Sequence, residues 1–398
     1  MLAAFGDPGH AFPQIALGRE LVRRGHRVCL QTWRAWRKHV EREGMVFAAA
    51  PEYQVFPTRE RPLSPYQAAV RAARETRPLV RAFDPDVVVV DILTIAAALA
   101  AELEQRPWVT LVPHLLPTPD PALAPYAIGA LPPRTPVGRL LWRSLRPLVR
   151  RGEERGRREL NEARRRLGLP PLPYPHGGIS RRLALVATFP QLEAVRRRMP
   201  PFAAVSGPLQ WEQPYGEVPF PPGDDPLVLI APSTSQDPQH ELLRSALAGL
   251  ANAPVRVLAT TNRKPLKRPI AVPPNAVLVD WLSYGRTMPR SSLVVCHGGH
   301  GTVVRALAHG VPVLCVPAAD DMAENATRVA HFGAGLLLPR RLLTPVNLRR
   351  AVLRALASDL LARRAAELAR WAEHNDGAQR AAELLELRGW DSNPQPTG

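Results

Sequence analysis

Lysine is nearly missing: Lys38, Lys264 and Lys267 are the only three among the 52 basic residues of this 398-residue chain. None of them follows a glycine, which excludes a phosphate loop of the Gly-Lys type. Cysteine is as scarce. Cys29, Cys296 and Cys315 stand far apart with no CxxC spacing, which excludes a disulfide framework and a cysteine zinc site. No apolar run approaches the ~18 residues that cross a bilayer. The opening Met1-Leu2-Ala3-Ala4-Phe5-Gly6-Asp7 lacks both the basic region and the long apolar stretch of a signal peptide. The first strand pattern is not followed by GxGxxG, which argues against a dinucleotide redox enzyme. A soluble, reduced chain is left, expected in the cytoplasm.

Arginine, alanine and proline are what the chain has instead. Formal charge is +17, and 17 arginines face five acids between Arg134 and Arg198. Two readings stay open for that region: compositional drift in a GC-rich genome, or a basic patch making weak contact with a membrane surface.

Short apolar runs alternate with amphipathic stretches. Strands are expected at Leu2–Phe5, Val28–Gln31, Asp86–Asp91 and Trp108–Val112, with helices at Phe12–Arg24 and Ile95–Glu104. The run Asp86-Val-Val-Val-Val-Asp91 has the two-faced apolarity of a central parallel strand. Prolines crowd 113–136, an Arg-rich helical stretch spans about 138–167 with a break at Pro147, and a strand pattern resumes at Leu183–Phe189. Leu141, Leu145 and Leu148 recur at helical spacing among arginines, which predicts a core-facing stripe, with a membrane-surface helix as the alternative. Six prolines in 208–226 read as a semi-rigid linker. A second alternating unit begins at Leu227–Ala231, with strands at Val255–Ala259, Ala276–Val279, Leu293–Cys296, Val313–Val316 and Gly335–Leu338. The plan is two doubly wound Rossmann-like α/β domains facing across a cleft: 1–207, a linker 208–226, 227–386, and a tail 387–398 expected to be disordered.

Ligands of open parallel sheets bind beyond the carboxyl ends of strands. Three loops there carry chemistry. Cys296-His297-Gly298-Gly299-His300-Gly301-Thr302 leads from a strand into a helix, and its glycines let backbone N–H groups approach an anion at a positive helix end. His297 and His300 lack the carboxylate or cysteine partners that a metal pair needs, so no metal site is expected. Gly6-Asp7-Pro8-Gly9-His10 offers a general base, and Asp91, at the end of its own strand, offers the carboxylate to orient it. Asp320, Asp321 and Met322 open a further helix, where acids accept bonds from sugar hydroxyls or cap the helix.

These residues resemble a known family. Gly9-His10-x-x-Pro13 and Leu21-Val22-x-x-Gly25-His26-x-Val28 look like the opening of family 1 glycosyltransferases of the GT-B fold. Val279-Asp280-Trp281-Leu282, His297-Gly-Gly-x-Gly-Thr302, Ala306-Leu-x-x-Gly310-Val-Pro312, Pro317-x-x-x-Asp321 and Asn325-Ala-x-Arg328-Val resemble the donor-binding signature of its bacterial macrolide and natural-product branch. The resemblance covers about 1–385. It implies that His10 deprotonates an acceptor hydroxyl and Asp91 orients it. Trp281 and Leu282 would lie against the nucleotide base, and His297, Gly299, Gly301 and Thr302 would hold the diphosphate, with Ser233 and Thr234 on the facing loop. Asp321, beside Met322, would bind sugar hydroxyls. The implied reaction is inverting and metal-independent. It needs no cofactor, only a UDP- or dTDP-sugar as co-substrate and a small hydroxylated acceptor as partner, and it leaves the acceptor-binding residues unassigned. Three positions depart from the pattern: Met322 stands where glutamine is usual, Arg305 where a ribose-binding glutamate is often found, and Ser283-Tyr284 where Pro-Gln is usual.

Rival readings are a peripheral-membrane glycosyltransferase with a lipid acceptor and a sugar-nucleotide epimerase or binding protein in the same shell. Nucleic acid is not expected as a partner, since the basic half has no recognition motif.

Overall fold

The computed structural model describes residues 1–51, 67–121, 123–133, 135–214, 216–233, 237–318 and 320–389. Thr234 and most of the expected tail lie outside the described residues.

The first unit contains strands β1 (Leu2–Ala3), β2 (Cys29–Thr32), β3 (Val46–Ala49), β4 (Val88–Asp91), β5 (Trp108–Val112), β6 (Ala184–Val186) and β7 (Ala203–Val205). Its helices are α1 (Pro8–Arg23), α2 (Arg37–Arg42), α3 (Gln67–Phe83), α4 (Ile95–Leu103), α5 (Pro136–Ser144), α6 (Arg146–Arg166) and α7 (Pro190–Glu193). The second unit contains β8 (Leu227–Ala231), β9 (Arg256–Thr260), β10 (Ala276–Val279), β11 (Leu293–Cys296), β12 (Val313–Cys315) and β13 (Gly335–Leu337), with helices α8 (Glu241–Leu250), α9 (Tyr284–Thr287), α10 (His300–Ala308), α11 (Asp320–Phe332), α12 (Pro345–Leu356) and α13 (Asp359–His374); a last helix, α14 (Gly377–Glu386), follows in the chain.

All strands pair in parallel, in the orders β3-β2-β1-β4-β5-β6-β7 and β10-β9-β8-β11-β12-β13. The strand order reverses between β1 and β4 in the first sheet and between β8 and β11 in the second. Loops leaving those neighbours diverge, which opens a crevice at each carboxyl edge. Registers Leu2↔Val89 and Val294↔Leu229 bring the relevant strand ends level. β4, β5, β8 and β11 are buried throughout, as expected of strands covered by helices on both faces.

Several segments differ from the sequence expectation. β1 stops at Ala3, because Pro8 opens α1 four residues before the expected helix start. β3 and β7 were not foreseen. Both have partly exposed edge positions, so neither shows a buried apolar run. α3 was not foreseen either. The expected leucine stripe does not face a core: Leu141 and Leu148 are 55% and 61% exposed and Leu145 is only half-buried, and α5 has no buried residue. The expected break at Pro147 is present: Thr135 and Pro136 start α5, and Pro147 sits in the first turn of α6, where its missing N–H costs nothing.

The linker is not a spacer. Leu209 and Trp211 are buried in the first unit's core, Trp211 packs edge-on to Phe12 at 4.9 Å, and its Nε1 donates to Glu43 at 2.7 Å. The final helix also leaves the unit that 227–386 assigned it to. Ala381, Ala382 and Leu385 of α14 join the core around Ile15, Leu17 and Leu21, and Arg24 and His26 pair with Glu386 at 2.8 and 2.9 Å. An apolar stripe on α14 completes the open face of α1, which no local pattern announces.

The two units also share buried surface directly. Leu115, Phe189 and Leu192 belong to the same cluster as Leu229, Val294 and Val303. Beside them Arg328 pairs with Glu324 at 2.7 Å and donates to the Leu192 carbonyl at 3.1 Å, while Arg196 pairs with Glu193 at 2.7 Å. Among the described residues no helix is long and apolar enough to cross a membrane.

Candidate active site

His10 stands in the first turn of α1, directly after β1, and Asp91 is the last residue of β4. The neighbouring strands therefore carry base and carboxylate to one crevice. His10 Nδ1 donates to Asp91 Oδ2 at 2.8 Å, and the other carboxylate oxygen accepts the Leu93 N–H at 2.9 Å. Asp91 is fully buried, whereas the His10 side chain keeps 20% exposure. With Nδ1 committed, Nε2 is the nitrogen left to take a proton. Burial pushes the imidazole down, but attraction and hydrogen bonding from Asp91 outweigh it, so His10 titrates above the ordinary histidine value.

A second histidine lies beside it. His114 follows β5, its ring centroid 6.5 Å from that of His10, with Nδ1 donating to the Leu115 carbonyl at 2.7 Å and the Tyr126 hydroxyl 3.3 Å from the same nitrogen. Burial lowers its basicity. Sequence reasoning passed over His114, although its place just past a strand's carboxyl end is the signal that singled out His10.

On the second unit, β11 runs into His297-Gly298-Gly299 and then α10, capped by Gly299. Gly298 holds φ +81, and a Cβ there would meet the Met322 carbonyl at 2.8 Å. His297 folds over Gly299, where a Cβ would come within 2.2 Å of Nε2. Its Nδ1 donates to the Ala231 carbonyl, at the end of β8, at 3.2 Å. Burial lowers the His297 pKa, so the free ring is neutral near pH 7 with Nε2 unprotonated. Nothing lies within 4 Å of where a Cβ on Gly301 would stand, and Thr302 follows in the same first turn, half-buried. Ser233 is buried on the loop after β8.

Asp321 and Met322 open α11 beside this turn, both half-buried. The Asp321 carboxylate raises the basicity of His10, His114, His297 and His300 alike. Asp321 thus lies within electrostatic reach of histidines from both units.

Three further residues complete the picture. The Leu282 side chain is 3% exposed within the core, so only its backbone can face a base. Trp281 is half-buried, with the Arg263 guanidinium 4.6 Å from its ring centroid. His300 is no ligand group: its Nδ1 faces Asn325 Oδ1 at 3.2 Å and its Nε2 the Ala187 carbonyl of the first unit at 3.1 Å, and burial lowers its pKa to about 4. Among the described residues no group of three or more His, Cys, Asp or Glu is placed to hold a metal ion.

Two doubly wound parallel-sheet domains in one chain define the GT-B fold, and the chain adopts it. Residues 244–383 match the C-terminal domain of the erythromycin biosynthesis protein CIII-like family. The chain is 28% identical to 4'-demethylrebeccamycin synthase of Lentzea aerocolonigenes over 88% of its own length and 90% of that protein. It is 29% identical to O-mycaminosyltylonolide 6-deoxyallosyltransferase of Streptomyces fradiae over 97% of its length and 96% of that protein. Among solved structures, the glycotransferase of kitacinnamycin superposes with a TM-score of 0.77 at 21% identity, covering 97% of both chains. The spinosyn rhamnosyltransferase SpnG complexed with thymidine diphosphate superposes with a TM-score of 0.69 at 20% identity, covering 97% of this chain and 99% of that one. Together these likenesses indicate a glycosyltransferase.

Proposed function

We propose that the chain is an inverting, metal-independent glycosyltransferase that moves a hexose from a UDP- or dTDP-sugar to a hydroxyl of a small aglycone. The observation that carries the reading is the His10–Asp91 pair at one sheet edge and the glycine-bordered start of α10 at the other, under the common field of Asp321. The thymidine diphosphate bound to one neighbour supports a dTDP donor.

In this reading His10 Nε2 takes the acceptor hydroxyl proton, and the oxygen attacks the anomeric carbon from the face opposite the diphosphate. The carbon–oxygen bond to the diphosphate breaks as the new bond forms, which inverts the anomeric centre. Backbone N–H groups at Gly299 and Gly301, the Thr302 hydroxyl and His297 meet the charge that develops on the leaving diphosphate. Asp91 holds the His10 tautomer and stabilises the imidazolium. Base catalysis supplies about 10²–10⁴-fold of the rate. Asp321 accepts bonds from sugar hydroxyls, with the Met322 thioether contributing shape rather than hydrogen bonds. We place the reaction in the cytoplasm, in keeping with three free cysteines. A weak membrane-surface contact finds support in α5, where exposed leucines alternate with Arg139 and Arg143.

The test is calorimetric binding of UDP, dTDP and GDP with EDTA present, on the native chain and on His297→Ala. Metal-free binding of one nucleotide, weakened at least tenfold in the variant, is expected. Absence of binding by all three overturns the donor assignment.

A further inference from the structure

Arg305 occupies the helical position where the resemblance expects a glutamate reaching the ribose. A guanidinium accepts no hydrogen bond, and this one is turned away from solvent toward the linker. Its Nη2 donates to the Trp211 carbonyl at 2.6 Å, and its Nη1 lies 3.2 Å from the Glu212 carboxylate. Glu212 in turn holds the turn that follows Trp281 and Leu282. Its Oε1 accepts the Tyr284 N–H at 2.6 Å, and its Oε2 accepts the Gly285 N–H at 3.0 Å and the Ser283 hydroxyl at 3.1 Å. Ser283 Oγ also accepts the Arg286 N–H at 3.1 Å, capping the short helix α9. The chain of bonds continues from the Tyr284 hydroxyl to Asn262 Oδ1 at 3.3 Å, and from Asn262 Nδ2 to the Pro232 carbonyl beside Ser233 at 2.7 Å.

One carboxylate of the linker is therefore bonded to three donors of a single turn and to a cation on the helix that begins at His300. We infer that Glu212 and Arg305 are positioning residues for the nucleoside half of the donor. Glu212 fixes the 283–285 turn so that the Trp281 ring and the Leu282 backbone keep the shape that receives the base, and Arg305 fixes Glu212. The pair also accounts for two departures at once. The usual Pro-Gln stiffens this turn from within, and here an external carboxylate stiffens it instead. The usual glutamate is gone from α10, and a cation in its place secures that carboxylate. Arg305, standing where a ribose-binding glutamate is usual, accepts no hydrogen bond, so at that position a 2'-deoxynucleotide loses nothing against its ribo counterpart. The inference rests on the donor assignment made above.

The experiment is calorimetry on the full chain and on Glu212→Ala, Glu212→Gln, Arg305→Met and the Ala/Met double variant, with UDP, dTDP and, by competition against dTDP, inorganic pyrophosphate. Glu212→Ala should weaken both nucleotides ~tenfold or more, because three donors lose a charged partner, and should leave pyrophosphate binding unchanged. Glu212→Gln should fall between, its amide oxygen keeping the Tyr284 bond, and the double variant should lose little beyond Glu212→Ala, as expected of one coupled unit. Equal weakening of nucleotide and pyrophosphate would reduce the pair to general support of the fold and overturn the inference, as would unchanged nucleotide binding in Glu212→Ala. Failure of the native chain to bind either nucleotide removes the donor assignment itself, and this inference with it.

Discussion

The two carboxyl edges of this molecule are built on the same strand order and carry different kinds of information. On the second unit, the residues assigned to the diphosphate and sugar are packed into two short loops, 297–302 and 321–322, each fixed by its own strand-to-helix turn. On the first unit, His10 and Asp91 stand 81 residues apart in the sequence, on the ends of two different strands. The reason is physical. A diphosphate is recognised by a helix start and a glycine turn, which are local objects. An acceptor pocket is a shape, assembled from segments that meet only after folding.

The largest expected effect tests whether the two edges divide labour in this way. His10→Ala should cut transfer by about 10²–10⁴-fold while leaving nucleotide affinity within twofold, read by rate assay and calorimetry on one preparation. Comparable loss of both would break the division. Asp91→Asn is expected to follow, at roughly 10²-fold in rate, with a signature in the pH profile. His10 acts as a base only when neutral and its pKa is raised, so the native rate should climb with pH through a midpoint above that of an ordinary histidine. Without the Asp91 charge that limb should move to lower pH. A limb that stays in place would assign the titration to another group.

A smaller effect sharpens the donor side. His297 is neutral in the free chain because burial lowers its pKa, and its Nδ1–H is committed to Ala231. A diphosphate near Nε2 favours the charged ring, so binding should take up a proton and tighten as pH falls from 8 to 6. Calorimetry in two buffers of different ionisation enthalpy measures that uptake, and its absence would place His297 away from the diphosphate. The smallest effect belongs to the acceptor unit. Leu140→Ser with Leu141→Ser should change folding stability by no more than about 0.5 kcal/mol per site, because both side chains are mostly exposed. The same pair should weaken sedimentation with anionic vesicles, and unchanged sedimentation would remove the membrane contact.

How much could be read beforehand follows the same divide. Gly298, Gly299 and Gly301 announce their turn because they sit next to one another and between unmistakable apolar runs. The β4 strand announces Asp91 for a similar reason. β3 and β7 lack such runs, since edge strands are partly exposed, and α5 reverses the expectation because leucines at helical spacing look the same whether a core covers them or not. Glu212 was illegible for a different reason. Its partners Tyr284, Gly285 and Arg305 are 72, 73 and 93 residues away, and a lone glutamate among prolines reads only as solvated linker.

The return of α14 to the first unit has a mechanical consequence. The chain passes between the units twice, once after Gly207 and once before Gly377, and the two passages touch. A Cβ on Gly377 would stand 2.3 Å from the Pro208 carbonyl oxygen and 2.8 Å from Gly207, and one on Gly207, at φ +98, would meet the Trp371 ring at 2.9 Å. A side chain at either glycine would push one passage off the other, so the two tethers are held against each other at a single spot that only glycine permits.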